Sequence, residues 1–533
     1  MTTCATVLAE TLEAYGVRWV FGIPGNHTLE LYRGLSTTSM HHVTARHEQG
    51  AAFMADGFAR ASGEPGVCYL ISGPGLTNAA TAIAQARGDS VPMLVITAVA
   101  PTSELGMREG RLHELPNQAA LARELFVWSH TLLDAGNLEK MLARAFTTFR
   151  CMRPGPVHIE IPLDIMVRPA ETHAPWAIPD PPSADPRAIA GAADMIGDSK
   201  KPLILVGGGA VNAGHAIAEI ARRMDAPVLN TTNAKGVLAL EHPLRVGGSP
   251  SLPALRQALE TSDLVLAVGT EFGETDFDLL MSGALDLQGD LIRLDIDPLQ
   301  LVKNVAPALG IVSDAERGLA ALALACSAQQ RGGAQRAADL KRALRHDKHY
   351  HIDYHAVLTT IASHADVLLG DSTQPTYYAA WQYEPAHPRS YFHSVSGFGT
   401  LGYAIPAAIG AKLARPQDSV VALIGDGAAQ FTLPELGIAA DLELSVAFIV
   451  WNNNGYEEIK NSMRARGIDA KTARVKPPDF KAIADAYGCA HRAVQTVEQL
   501  AGALDEQKTY STPTLVEVRQ ADFISQPSGQ WYA

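Results

Sequence analysis

The chain has 533 residues and a mass of 56.7 kDa, with 47% hydrophobic and 19% charged residues; this is a globular make-up too long for one core, so two or three domains are expected. A net charge of -13 without any basic run counts against nucleic acid or an anionic membrane as partner, because both attract clustered Lys and Arg. The five cysteines, Cys4, Cys68, Cys151, Cys326 and Cys489, lack CxxC spacing and suggest neither a disulfide framework nor a zinc site.

A reducing, cytoplasmic setting fits these thiols. The opening MTTCATVLAE has no basic region followed by a long apolar one, and the longest apolar runs, such as 93–100, are too short to span a bilayer.

In chain order, VCYLIS (67–72), TNAATAIAQA (77–86) and PMLVITAV (92–99) alternate β-branched runs with an alanine-rich amphipathic stretch, the pattern of parallel strands joined by crossover helices. The proline-dense stretch 167–186 has no period and predicts an extended linker. A second α/β unit starts at KPLILVGGGAVNAG (201–214), continues through LVLAVGT (264–270) and LIRLDIDP (291–298), and ends in a helix near 314–328. The charged stretch 329–349 reads as a connecting helix or linker. The predicted domains are therefore 1–168, 187–328 and 350–533, each a doubly wound parallel α/β sheet. The first and third look alike, since 67–98 and 420–452 share a strand, Gly-x-Gly turn, helix, strand order.

The chemistry concentrates in the third unit. Gly425, Asp426 and Gly427 form a GDG turn directly after the strand VVALI, at the end of the strand where α/β folds bind ligands. Asn453 follows in NNNGY after the next strand, VAFIVW, so one crossover places both turns on the same sheet edge. The Asp426 carboxylate, the Asn453 side-chain carbonyl and a backbone carbonyl at Gly455 would then give Mg²⁺ three hard oxygen ligands. Gly427 lets the backbone approach a diphosphate, which the next helix N-terminus favours.

GDG with the later NN resembles the thiamine-diphosphate motif, and nearly the whole chain is similar to the acetolactate synthase, pyruvate decarboxylase and benzoylformate decarboxylase superfamily. The likeness runs through FGIPGN (21–26), TARHEQGAAFMADGFAR (44–60), SGPGLTN (72–78), RPGPVHIEIPLD (153–164), DIDP (295–298), GFGTLGYAIPAAIGA (397–411) and GDGAAQF (425–431). It implies pyrimidine-binding, central and diphosphate-binding domains, an active site between two subunits of a homodimer or homotetramer, and thiamine diphosphate with Mg²⁺ as cofactors.

The resemblance also implies residue roles. Glu48 matches the acid that hydrogen-bonds N1′ of the aminopyrimidine; read alone, it is a first-turn glutamate favoured by the helix dipole. Leu401 matches the apolar wedge that bends the cofactor, and Gly399 offers its carbonyl to the 4′-amino group; Leu401 read alone is a core leucine. In DSTQPT (371–376), Gln374 and Thr373 lie where relatives hold the diphosphate, with backbone N–H groups near Ala428. Asn26 and His27 follow the GIPG turn, and His113 stands where decarboxylases carry histidine and acetolactate synthases glutamine. Histidine can carry a proton near neutral pH; read alone, each is a partly buried, hydrogen-bonded structural histidine.

Departures narrow the expectation. Ile71, Asn26 and Ile459 stand where the simpler decarboxylases carry histidine, aspartate and glutamate, with Glu457 and Glu458 close by. The segment 269–277 lacks the arginine-bearing sequence of flavin-binding acetolactate synthases, so FAD is not expected, and GGGAVNAG reads as scaffold rather than a dinucleotide turn. The expectation is non-oxidative decarboxylation of a 2-oxo acid larger than pyruvate. The nearest likeness is to 5-guanidino-2-oxopentanoate decarboxylases, with Glu114, Glu457 and Glu458 as acids that could meet a guanidinium. The alternatives are a carboligase of acetolactate synthase type, which would take an aldehyde acceptor, and a 2-hydroxyacyl-CoA lyase.

Overall fold

The β-branched runs become strands that are mostly buried on both faces, as parallel sheets covered by crossover helices require. The computed structural model describes residues 2–347 and 354–524; positions 350–353 and 525–533 of the expected third domain lie outside them. The first sheet contains β1 (Trp19–Gly22), β2 (His41–Thr44), β3 (Gly66–Leu70), β4 (Met93–Val99), β5 (Trp128–Thr131) and β6 (Pro156–Pro162). The second contains β7 (Pro202–Val206), β8 (Val228–Asn230), β9 (Leu264–Val268), β10 (Asp290–Asp295) and β11 (Leu309–Val312). The third contains β12 (Val367–Gly370), β13 (Tyr391–His393), β14 (Val420–Gly425), β15 (Val446–Asn452), β16 (Ala490–Val494) and β17 (Thr514–Arg519).

The first sheet runs β2-β1-β3-β4-β6-β5 and the third β13-β12-β14-β15-β17-β16, which is the same order counted from the third sheet's own first strand. The likeness seen between 67–98 and 420–452 therefore extends to whole domains. The second sheet, β11-β10-β9-β7-β8, is different. In the two similar sheets the chain reverses direction of growth between β1 and β3 and between β12 and β14, so crevices open at the carboxyl ends of those strands.

Local sequence explains the boundaries. The helix expected over 77–86 starts earlier, at Pro74, because proline suits a first helical turn, and runs to Gly88. Residues 171–185 carry no helix or strand, and the charged stretch contains the helix Gly333–His346. Among the described residues no helix is long and apolar enough to cross a membrane.

The first and third domains share a core. Helix Glu48–Ser62 crosses helix Ala404–Ala414, and glycines at the crossing let the backbones touch: a methyl group on Gly57 would strike the Ala407 carbonyl, and one on Gly410 the Met54 carbonyl. Buried Tyr403 donates to Asp56 Oδ1 at 2.6 Å across the same contact, and Asp56 also takes Arg60 Nε at 2.7 Å. The second domain is tied to the third through Glu384, which accepts from buried Lys235 at 2.9 Å and pairs with Arg245.

Candidate functional site

The third domain places its motifs at the carboxyl ends of β12, β14 and β15, around the reversal point. Asp426 follows β14 and is almost fully buried, and its Oδ2 accepts from Gly455 N at 2.7 Å. The terminal amide of Asn453 puts one atom 3.1 Å from Asp426 Oδ1 and 2.6 Å from the Gly455 carbonyl oxygen. A nitrogen in that place donates to both; an oxygen there completes a cluster of three oxygens that a cation would hold together. Burial pushes the Asp426 carboxyl up to about 6, against the backbone N–H groups that pull it down. A divalent cation would favour the ionised form in the same place. The Tyr456 ring covers Gly427, its Cε1 2.5 Å from where a methyl carbon on Gly427 would sit. Its neighbour Ala428 is buried in the same short turn.

Thr373 caps the helix Gln374–Gln382 and packs beside Gly425. The Gln374 side chain is engaged at both ends: Tyr354 OH donates to its Oε1 at 3.2 Å, and its Nε2 donates to Glu458 Oε2 at 3.0 Å. Asp371, which no pattern singled out, is fully buried and accepts from Ser372 N, Gly402 N and Ala404 N at 2.8, 3.3 and 2.9 Å. It fixes the chain just after Leu401, whose partly buried side chain packs on the shared core. Gly399 is exposed with φ +72, a conformation suited to glycine, and nothing lies within 4 Å of where its Cβ would be.

In the first domain Glu48 is the first residue of its helix, as expected, and is buried. Its Oε2 accepts from Asn78 Nδ2 at 2.9 Å. Among the described residues no hydrogen bond joins Glu48 to Asp426, Asn453 or the Leu401 loop, so Glu48 is not tied to those groups in its own chain.

His27 and His113 meet at the Ser72–Gly75 turn after β3. Their rings lie edge to face with centroids 5.2 Å apart, and His27 Nδ1 is 2.7 Å from Ser72 Oγ. Burial, and then the neighbouring His113, hold the His27 pKa below its ordinary value. His113 has φ +62, rare for a side-chain-bearing residue, and its Nδ1 is buried without a partner among the described residues. Asn26 is exposed beside them. Gln118, unmarked in the sequence, accepts from Gly73 N at 2.9 Å and donates to buried Glu160 at 3.0 Å, which sets the turn.

The three acids proposed for a guanidinium differ. Glu114 accepts from the backbone amides of Arg108, Gly110 and Arg111 in its own loop. Glu457 pairs with Lys460 and Arg464 at 3.1 and 2.8 Å. Glu458 gives one oxygen to Gln374 and keeps Oε1 buried, without a partner among the described residues. In the second domain Gly207 and Gly209 pack against the Gly269–Thr270 backbone, and the following helix begins only at Gly214. Close packing thus accounts for that glycine run. Among the described residues no group of three His, Cys, Asp or Glu side chains is placed to hold a metal.

Three family models match the chain: the N-terminal TPP binding domain of thiamine pyrophosphate enzymes over residues 2–121, their central domain over 189–322, and their C-terminal TPP binding domain over 371–518. The chain is 40% identical to the probable 2-ketoarginine decarboxylase AruI of Pseudomonas aeruginosa, over 97% of this chain and 94% of that protein. It is 32% identical to the acetolactate synthase isozyme 1 large subunit of Escherichia coli, with the same coverage, and 30% identical to a probable acetolactate synthase large subunit of Methanocaldococcus jannaschii over 96% and 91% of the two chains. With these matches spanning all three sheets, the chain belongs to the thiamine pyrophosphate enzymes, as a thiamine-diphosphate-dependent carbon–carbon lyase or carboligase.

Proposed function

We propose that the chain decarboxylates a 2-oxo acid larger than pyruvate, with 5-guanidino-2-oxopentanoate as the leading substrate. The observation that carries this reading is the convergence of Asp426 Oδ1, the Asn453 amide and the Gly455 carbonyl, in a chain 40% identical to a relative named as a 2-ketoarginine decarboxylase. Asp426, Asn453 and the Gly455 carbonyl would hold Mg²⁺. Gly427, the N–H at Ala428, Thr373 and the start of the helix at Gln374 would receive the diphosphate. Leu401 would support the bent cofactor and Gly399 would turn its carbonyl to the amino group. Bound thiamine diphosphate supplies a nucleophilic carbon and an electron sink.

Glu48 would hydrogen-bond the pyrimidine and keep a proton at N1′. As in the family it resembles, the site is proposed to form between two subunits of a homodimer or homotetramer, with Glu48 of one facing the Asp426 cluster of the other. His27 and His113, with Asn26 beside them, would hold and move the proton delivered to product. Burial and the neighbouring His113 favour the neutral form of the His27 ring, which Ser72 holds through Nδ1. Of the three acids, Glu458 has an oxygen to offer a guanidinium in a charge-assisted bond. The five free thiols support a cytoplasmic setting, and the reading includes no FAD.

The test is product analysis with thiamine diphosphate, Mg²⁺ and pyruvate, branched, aromatic and guanidino-bearing 2-oxo acids, with and without an aldehyde acceptor. CO₂ and free aldehyde from the guanidino acid are expected. Mainly coupled hydroxyketone would make the chain a carboligase, and silence across the panel despite bound cofactor would leave a 2-hydroxyacyl-CoA lyase or a donor outside the panel. Glu458→Gln should raise KM for the guanidino acid about tenfold, the effect of losing a charge-assisted hydrogen bond, and leave KM for an aliphatic acid unchanged.

A further inference from the structure

Gln85 is fully buried near the end of the first-domain helix Pro74–Gly88, yet its amide is spent on the third domain. Its Nε2 donates to the Ser396 carbonyl at 3.0 Å. Its Oε1 accepts from Thr400 Oγ1 at 3.2 Å and from Thr400 N at 3.4 Å. One side chain therefore bridges both ends of the exposed span Gly397–Phe398–Gly399. Glutamine suits this position because one planar group both donates and accepts; glutamate would lack the donor and methionine both.

The neighbourhood holds Gln85 in place. Its Nε2 also donates to Asp89 Oδ2 at 2.6 Å, and Asp89 is paired with Arg60 at the same distance. Gly397 lies directly over that carboxylate, whose carbon is 2.9 Å from where a methyl group on Gly397 would sit. Within the loop, Gly399 N donates to the Ser394 carbonyl at 3.1 Å and Ser394 Oγ to the Thr400 carbonyl at 2.8 Å.

We propose that Gln85 is a positioning residue for the cofactor: by tying Ser396 to Thr400 it fixes the direction of the Gly399 carbonyl, so a first domain sets part of the third-domain half of the site. This rests on the reading of Gly399 given above.

The test uses the full-length chain without cofactor and then with it. In Gln85→Met, hydrogen–deuterium exchange at Gly399 and Thr400 should rise about tenfold, as loss of one to two net hydrogen bonds implies, with β4 peptides unchanged. Unchanged exchange at the loop overturns the clamp. If β4 also loosens, Thr400→Val, which removes only the hydroxyl bond to Gln85, should still raise loop exchange about threefold; no rise overturns the clamp. Titration with thiamine diphosphate and Mg²⁺ should then show Kd weakened at least fivefold in Gln85→Met, and C2–H exchange of the bound cofactor slowed. A loosened loop with unchanged Kd and C2–H exchange would refute the role given to Gly399, and with it the positioning role, while leaving the clamp itself standing.

Discussion

Glu435 of the third domain accepts a 3.0 Å hydrogen bond from the backbone N–H of His47, which caps the first-domain helix beginning at Glu48. Its other oxygen accepts from Arg46 N at 3.1 Å. Gly50, one turn into the helix, has no room for a Cβ because the Glu435 carboxylate occupies that space. A third-domain acid thus holds the start of the helix that presents Glu48.

Burial pushes the Glu435 carboxyl from 4.5 up to about 7, against the two amides that pull it down. An acid whose pKa is raised on folding binds its proton more tightly in the folded state, so the contribution of Glu435 to stability is greatest below about 4.5 and is lost as pH rises to about 7. Glu435→Gln should flatten this part of the stability–pH curve, removing a slope on the order of 2–3 kcal/mol across the window. Urea unfolding at several pH values checks it; an unchanged slope would show that Glu435 does not titrate there.

Gly410→Ala should destabilise the chain by about 2–3 kcal/mol, because the added methyl meets the Met54 carbonyl rather than a side chain that can turn away. Gly502→Ala, in a helix with nothing within 4 Å of the new methyl, should be neutral or stabilising by up to about 1 kcal/mol. Thermal unfolding of the pair separates the helix crossing from helix propensity.

His113→Gly relieves the left-handed backbone while removing the imidazole. Stability should hold or rise by about 1 kcal/mol, and kcat should fall about 100-fold, the usual range for a lost acid–base group. Near-normal turnover would return His113 to a structural role.

Glu48→Gln should retain thiamine diphosphate while lowering turnover by about 100-fold or more, because an amide accepts the Asn78 bond but cannot hold the acid's proton. Equilibrium binding and steady-state rates together decide it, and turnover close to that of the unmodified chain would refute the assignment.

Asp426→Ala takes one oxygen from the converging cluster and leaves the Asn453 amide facing the Gly455 carbonyl. Retention of cofactor through dialysis should then lose its dependence on Mg²⁺. Unchanged Mg²⁺ affinity by calorimetry would place the metal elsewhere.

Much of the fold and several site positions were legible because their determinants are local. A β-branched run ending in a glycine turn states where a strand stops, which is how GDG after VVALI and NN after VAFIVW could be put at one sheet edge. The alternation of such runs with alanine-rich stretches gave the parallel α/β class, and the likeness of 67–98 to 420–452 anticipated the matching strand orders. Asp371, Gln118 and Glu435 left no such signal. Each is one polar residue whose importance lies in distant backbone amides.

The sequence by itself determined the three α/β units, the turns bearing Asp426, Asn453 and His27, and Glu48 at a helix start, since short-range sterics, caps and periodicity decide these; His113 was marked only by the family resemblance. Only the tertiary structure decided that Gln85 reaches Thr400 across 315 residues, that Glu435 reaches His47 across 388, and which of Glu114, Glu457 and Glu458 keeps a free oxygen. Those facts depend on how closely two helices approach at their glycines and on which partners burial leaves within reach, and no run of neighbouring residues encodes either.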